Sequence, residues 1–482
     1  MQLAKLITPK IIKTLHCQSA RRHGFFLTFL ILFISALSPV LSQDNSPYSR
    51  YGIGDLVPST PISNRGMGGI SAGYTDYLSI NFSNPASYSS FQAVLEQKSK
   101  KLISGRAILD FGLNFENRTL SEPKPSTAEK FTASNALFSY IQVGVPLKNN
   151  WGLSFGLRPI SRISYNIISN VRLKDPQTGL PIDSASTSYT GNGGAYLASV
   201  GTGFTVFEKS RANGNVEKLS VGFNAGYYFG IKDYSSRRSF INDTVNYYQA
   251  NYETKINYGS MFFNAGVQYR VPLKNKIILT VGAYGNWGQK ISATQDKLRE
   301  TFLFDANAGY LRLDSISDSR NVKGKINIPS SYTIGFVAQK YVVPTKEGGW
   351  LVGIDFSQQN WSQYRVYGQK DSLRNNWNVK IGGQFNPIPK RNYFSNVTYR
   401  AGLFFGPDYV QVKEKLIQLG ASFGLGLPVA ISRQAPNQIT LVNLAFEYGK
   451  RGNNDNLLKE NTFRFSLGFS LSDFWFIKRK YD

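Results

Sequence analysis

The chain has 482 residues with 55 Lys and Arg against 30 Asp and Glu, a formal charge of +25, two His and a single Cys. Cys17, His16 and His23 all lie within the first 42 residues, so a chain trimmed there has no disulfide, no thiolate or imidazole metal site and no Ser-His or Cys-His nucleophile machinery. These absences argue against an enzyme, and no catalytic, cofactor-binding or metal-binding residue is assigned.

The first segment reads as a secretory signal. Lys5, Lys10, Lys13, Arg21 and Arg22 precede an uncharged apolar run from Phe25 to Leu37, and Val40 and Ser42 stand before Gln43 at a plausible cleavage site. The run is short for a helical span of ~20 residues, so residues 1–42 are read as a signal for the Sec route, cleaved near Ser42. Their removal takes five Lys/Arg and no Asp/Glu, leaving 25 − 5 = +20. The remaining basic residues are scattered, which in an exported chain favours anionic outer-membrane lipid and lipopolysaccharide over nucleic acid as the partner.

Residues 43–100 do not alternate as strands do. Gly52, Gly54, Gly66, Gly68, Gly69 and Gly73 mark tight backbone, and Pro58, Pro61 and Pro85 interrupt any ladder. The segment still carries Tyr, Ile, Leu and Phe enough to pack, which favours a compact plug over a disordered periplasmic tail.

From residue 101 to 482 the pattern has period two. Phe463, Phe465, Leu467, Phe469 and Leu471 fall on one face, and Arg464, Ser466, Gly468 and Ser470 on the other. The stretch from Leu219 to Lys232 behaves likewise, with Gly222, Asn224, Gly226 and Tyr228 opposite Val221, Phe223, Tyr227 and Phe229. A soluble sandwich also alternates, but a small or polar inner face opposite a continuous Phe/Tyr/Leu face is the mark of a membrane barrel, and no later apolar run is long enough for a helical span. About fourteen segments are predicted: 102–118, 131–147, 151–166, 193–208, 218–235, 255–272, 276–291, 326–341, 349–360, 375–386, 393–406, 413–428, 438–450 and 461–472. Short turns at 148–150 and near Asn275 follow even-numbered strands, and long loops at 167–192, 236–254 and 292–325 follow odd-numbered ones, as periplasmic turns and outer loops do. The fold class is therefore all-β, a transmembrane antiparallel β-barrel of about 14 strands with an N-terminal hatch inside the lumen.

Several short motifs occur in a telling order. Asn64-Arg65-Gly66-Met67-Gly68-Gly69 is followed by Asn84-Pro85-Ala86-Ser87, then by Ile328–Phe336, Trp350–Asp355, Asn360-Trp361-Ser362, Lys380–Phe385 and Tyr399–Gly402. This arrangement resembles the long-chain fatty acid transporter family, FadL, over most of the mature chain. The resemblance implies a plugged fourteen-strand barrel that passes hydrophobic compounds such as long-chain fatty acids across the outer membrane. It also implies a structural hatch role for Asn64, Arg65, Gly66, Gly68, Gly69, Asn84, Pro85 and Ala86. There are departures: the C-terminus runs on past Phe474-Trp475-Phe476 to Asp482, Asn84-Pro85-Ala86 leads into Ser87-Tyr88, and Tyr48–Gly52 is not a general family feature. These leave the substrate open and keep a PorV-like alternative, a barrel that does not transport but acts with a protein-secretion apparatus or as an interaction protein.

Two sets of residues are candidates for function. Pro159 falls inside the third predicted strand, where the missing N–H would weaken one ladder and border a lateral opening, or simply mark a bulge. Arg65, Arg158, Arg270 and Arg464 are inward by parity and could hold an acyl carboxylate, or pair with lumen carboxylates. Trp151, Trp350, Trp361, Trp377 and Trp475 are expected in the interface girdles.

Overall fold

The computed structural model describes residues 46–95, 102–123, 130–210, 216–241, 248–305, 309–412, 414–429 and 437–475. Residues 1–42, expected as a signal, lie outside them. The N-terminal segment contributes two short strands, β1 (Asp55–Leu56) and β2 (Ala93–Leu95). The wall is a closed antiparallel barrel of 14 strands. In chain order it is built from β3 (Leu102–Ser121), β4 (Lys130–Lys148), β5 (Trp151–Lys174), β6 (Pro181–Ser210), β7 (Val216–Phe240) and β8 (Gln249–Pro272). Next come β9 (Ile277–Asn286), β10 (Gln289–Asp305), β11 (Gly309–Ile328), β12 (Ser331–Lys340), β13 (Gly349–Gln359) and β16 (Asn376–Asn386), which pairs directly with β13; the short hairpin between them, β14 (Arg365–Val366) and β15 (Gln369–Lys370), pairs with β11 and is not a wall strand. β17 (Thr398–Val412), β18 (Glu414–Pro428), β19 (Ile439–Arg451) and β20 (Lys459–Trp475) complete the circuit. β9 and β10 are halves of one wall strand, since both pair with β8, and β11 and β12 are halves of the next. Closure is made by β20 against β3, in unbroken register from Lys459↔Ser121 to Trp475↔Gly105.

The period-two pattern becomes an inside and an outside. On β20, Ser466 and Ser470 are buried and Phe463 is exposed; on β7, Asn224 and Tyr228 are buried and Phe223 and Tyr227 exposed. Outward rings meet across strands, with Phe111 and Phe469 at 4.9 Å and Phe446 and Phe465 at 5.0 Å between centroids. Such cross-strand pairs reinforce the ladder, and the apolar outer band is a surface suited to hydrocarbon.

The three long segments expected as loops are mostly strand. Residues 167–174 and 181–192 extend β5 and β6, 236–240 and 249–254 extend β7 and β8, and 292–305 and 309–325 make up most of β10 and β11. β5, β6, β7, β8, β10 and β11 stay hydrogen-bonded side by side through this region. Their tips are rich in Ser, Thr, Asn and charge because both faces stand in water. A strand with no hydrocarbon to face has no reason to alternate, so the apolar signal stops where the membrane stops and the ladder does not.

The N-terminal segment packs against the inward faces of the wall. Two glycines show how closely. A Cβ on Gly402 would lie 2.2 Å from the backbone of Met67 and Gly68, and one on Gly222 would lie 2.2 Å from the Pro85 carbonyl carbon. Neither clash can be relieved by rotating a side chain, so a residue larger than Gly there displaces the segment.

The membrane boundary is testable. Leu403 is 56% exposed on the outer band of β17, and Ile316 is 66% exposed on the portion of β11 above it. Leu403→Arg is expected to destabilise the barrel in lipid vesicles by about 2–4 kcal/mol. Ile316→Arg should change stability by no more than about 0.5 kcal/mol; urea-unfolding midpoints of the two variants check this.

Candidate functional site

The wall ladder is not uniform. β4 and β5 pair only from Lys148↔Trp151 to Ile141↔Leu157. Beyond that point β4 continues against β3 alone, and β5 continues against β6 with a register shift between Pro159 and Ser161. The strands therefore separate just ahead of Pro159. The N-terminal segment fills some of the space left: β1 pairs antiparallel with β5, Asp55↔Arg162 and Leu56↔Ser161, and Val57 N–H donates to the Ile160 carbonyl at 3.0 Å.

Next to this seam lies an interior cavity of about 430 Å³. Ile53, Leu56, Val57, Ile160, Leu197, Tyr228, Phe262, Trp361 and Phe404 give it an apolar side. Asp55, Arg118, Asp408, Glu447, Arg451, Glu460 and Arg464 give it a charged one. The charges are mostly paired. Asp55 meets Arg118 at 2.5 Å and Arg451 at 2.9 Å; Arg451 also meets Asp408 at 2.9 Å and Glu460 at 3.2 Å. Three buried polar atoms on the cavity, Tyr228 Oη, Asn376 Oδ1 and Asn378 Oδ1, have no protein hydrogen-bond partner among the described residues. Buried groups of this kind call for a water or a ligand head group.

Of the four expected arginines, Arg65, Arg158 and Arg464 line this cavity, and Arg270 does not. Arg65 is fully buried and ties the N-terminal segment to itself and to the wall: Nε donates to Thr60 O at 2.9 Å, Nη1 to Asn114 Oδ1 at 2.7 Å and Nη2 to Ser139 Oγ at 2.7 Å. Arg464 pairs with Glu116 at 2.6 Å and Glu447 at 3.1 Å. Arg270 stands apart, 5.7 Å from the Tyr341 ring and beside a smaller cavity lined by Asn149, Asn150 and Lys218. Arg158 lines the main cavity, 5.2 Å from the Phe82 ring, with no carboxylate paired to it among the described residues.

The motif residues of the N-terminal segment act on backbone. Asn64 Nδ2 donates to Ile70 O at 2.7 Å, closing the turn in which Gly68 and Gly69 adopt φ of 67° and 81°. Gly68 N–H donates to Ser422 Oγ at 2.8 Å, and Gly66 lies against Gly424. Asn84 Nδ2 donates to Ala72 O at 2.8 Å while its Oδ1 accepts from Ala86 N–H at 3.1 Å, capping the 3-10 turn Pro85–Ser90. That turn sits against Gly203 and Gly222.

Other residues at the site were not foreseen from sequence. Asp355 Oδ2 accepts from the N–H groups of Ser71 and Ala72 at 2.6 and 2.9 Å. Lys232 Nζ and Tyr364 Oη both donate to Gly52 O, and Asp371 accepts from Gly52 N–H at 2.7 Å. Trp361, expected in a girdle, is instead buried, 4.6 Å from the Tyr409 ring. It sits in a 3-10 turn after β13, on the lumen side of the rim.

A family model described as BamG matches residues 24–482. The chain belongs to the BamG family. No curated protein matches this BamG-family chain. Among solved structures, a Pseudomonas aeruginosa FadL homologue is 13% identical, with 88% of this chain and 100% of that chain covered and a TM-score of 0.50. The P. putida toluene transporter TodX is 14% identical, with 86% and 99% covered and a TM-score of 0.46, and the CymD monoaromatic hydrocarbon channel is 13% identical, with 88% and 98% covered and a TM-score of 0.45. At 13% identity the likeness to the FadL homologue is one of fold. The FadL resemblance read from the motifs thus extends to the barrel, while the family itself is BamG.

Asp55 makes the seating of the N-terminal segment in this BamG-family chain sensitive to acid. Burial alone pushes its carboxyl up, but Arg118 and Arg451 outweigh that and hold it below the usual range. A carboxyl lowered in the folded state contributes fully above its unfolded value of about 3.9, and loses the contribution as pH falls below it. Protease cleavage near residue 55 should therefore stay constant from pH 8 to about 5 and rise below about 4. Asp55→Asn should weaken the seat by about 1–3 kcal/mol at pH 7 and abolish that acid step, as limited proteolysis across pH would register.

Proposed function

We propose that this BamG-family barrel passes hydrophobic compounds, long-chain fatty acids among them, passively across the outer membrane. In this reading residues 43–100 act as a hatch, and the cargo leaves sideways between β4 and β5. One observation carries the reading: the β4–β5 ladder stops at Leu157, and the interior cavity reaches the seam through Leu56, Val57 and Ile160. An apolar solute released there enters lipid without crossing an aqueous pore. A cavity with one apolar and one polar side suits an amphipathic cargo, with Arg158 and the unpartnered Tyr228 Oη available to its head.

The hatch occupies the exit, so release requires β1 to leave β5. Leu56 and Ser161 are direct partners, and Cys17 is the only cysteine of the chain, so a Leu56→Cys/Ser161→Cys pair gives a clean lock. Oxidation should reduce uptake of labelled fatty acid by cells at least tenfold, with recovery on reduction. Equal uptake by locked, reduced and gene-lacking cells rejects the reading.

One feature favours an interaction role alongside it. The sheet of β5, β6, β7, β8, β10 and β11 rises above the apolar band and exposes Ile168, Val171, Leu311, Leu313 and Ile316, more apolar surface than water-facing strands need. A photo-crosslinker at Ile316 should then capture one defined outer-membrane or secretion-apparatus protein in cells. Scattered or absent adducts count against this second role.

A further inference from the structure

A second break in the wall has a different closure. β8 pairs with β10 as far as Tyr258↔Ala293 and with β9 from Ala265↔Gly285 onward. Between these points Gly259–Asn264 and Asn286–Ser292 face each other with no ladder pairing among the described residues. The seventh wall strand is itself interrupted at Trp287-Gly288, opposite the interruption of the eighth at Pro329-Ser330.

One side chain closes the gap. Gln289 Oε1 accepts from Phe263 N–H at 2.9 Å, and its Nε2 donates to Phe263 O at 2.9 Å. A carboxamide offers the donor and acceptor of a peptide group, so the Phe263 backbone is satisfied as a neighbouring strand would satisfy it. A glutamine can release both bonds by rotating its own torsions, whereas a ladder must move a whole strand. Outside, the Phe263 and Trp287 rings stack at 6.1 Å over the seam.

Spaces lie on both sides of this closure. Phe262 and Asn264 line the interior cavity. Gly259 and Ser292 line an outward groove of about 1040 Å³ whose apolar surface comes from Tyr196, Tyr227 and Phe229. Lys290 on the rim is exposed, as a lysine reaching toward head groups would be.

We propose that this window is a second lateral portal, latched by Gln289, through which apolar or singly headed amphipathic molecules exchange between the interior cavity and the outer leaflet. The proposal rests on the transport reading, and extends it from one exit to two sites with different latches: hatch backbone at β5, a side chain at β8.

The test uses the signal-cleaved chain in lipid vesicles, with a probe thiol introduced by Asn264→Cys and pyrene-maleimide dissolved in the bilayer. Adding Gln289→Leu, which keeps bulk and removes both hydrogen bonds, should raise the labelling rate at position 264 at least tenfold. A second probe, Ser154→Cys on β5, three wall strands away, should label at the same rate with and without Gln289→Leu. An unchanged rate at position 264, or equal acceleration at both probes, overturns the portal. Uptake by cells is read separately: parent cells that take up no apolar solute overturn the transport reading itself, whatever the labelling rates.

Discussion

In hydrocarbon every peptide N–H and C=O of a spanning chain has to be satisfied within the protein, because no water competes for it. The architecture follows from that demand. β20 closes on β3 without a register shift, and most of the wall is continuous ladder. The places where the ladder fails are therefore informative, since each needs a substitute. At β5 the substitute is backbone from elsewhere in the chain, Asp55–Val57. At β8 it is a single glutamine amide. At both places strand pairing is replaced by contacts from outside the wall ladder.

The N-terminal segment is held by two kinds of contact, and they act at different levels. Close approach at Gly222 and Gly402 sets its position, because backbone rests on backbone with no space for a side chain. Charge sets its attachment at the rim, where Asp55 bridges Arg118 of β3 and Arg451 of β19. The ion pairs also tie the N-terminal segment to the strands that close the barrel, since Arg118 and Arg451 share Glu460 of β20. Withdrawing β1 from β5 thus disturbs a charge network and not only a short strand pair.

Much of this was legible in the sequence, for reasons that can be named. The strands within the apolar band declared themselves because only there does one face meet lipid and the other the lumen, as Phe463–Leu471 shows. Pro159 lies two residues beyond the last β4–β5 pair while still facing Tyr196 of β6, so its missing N–H removes no bond to β4. The polar upper halves of β10 and β11 looked like loop because water on both faces removes the periodicity on which the reading depends. Trp361 was misplaced because it lies past the end of β13, in a 3-10 turn where strand parity no longer decides which way a side chain points. Asp355, Lys232 and Gln289 could not be foreseen, since each acts on backbone hundreds or tens of residues away and no local spacing announces such a partner.

The substitution of N-terminal backbone for wall strand is most directly measured by amide hydrogen exchange in the barrel reconstituted in lipid bilayers. The N–H of Val57, which reaches Ile160 O at 3.0 Å, is the reporter. Protection at Val57 should slow exchange by roughly a hundredfold or more over an open loop, and fall when β1 is displaced by Gly402→Leu. Exchange at Val57 as fast as in an exposed loop, with β4 and β5 amides beyond Leu157 protected by each other, would contradict a ladder break bridged by the N-terminal segment.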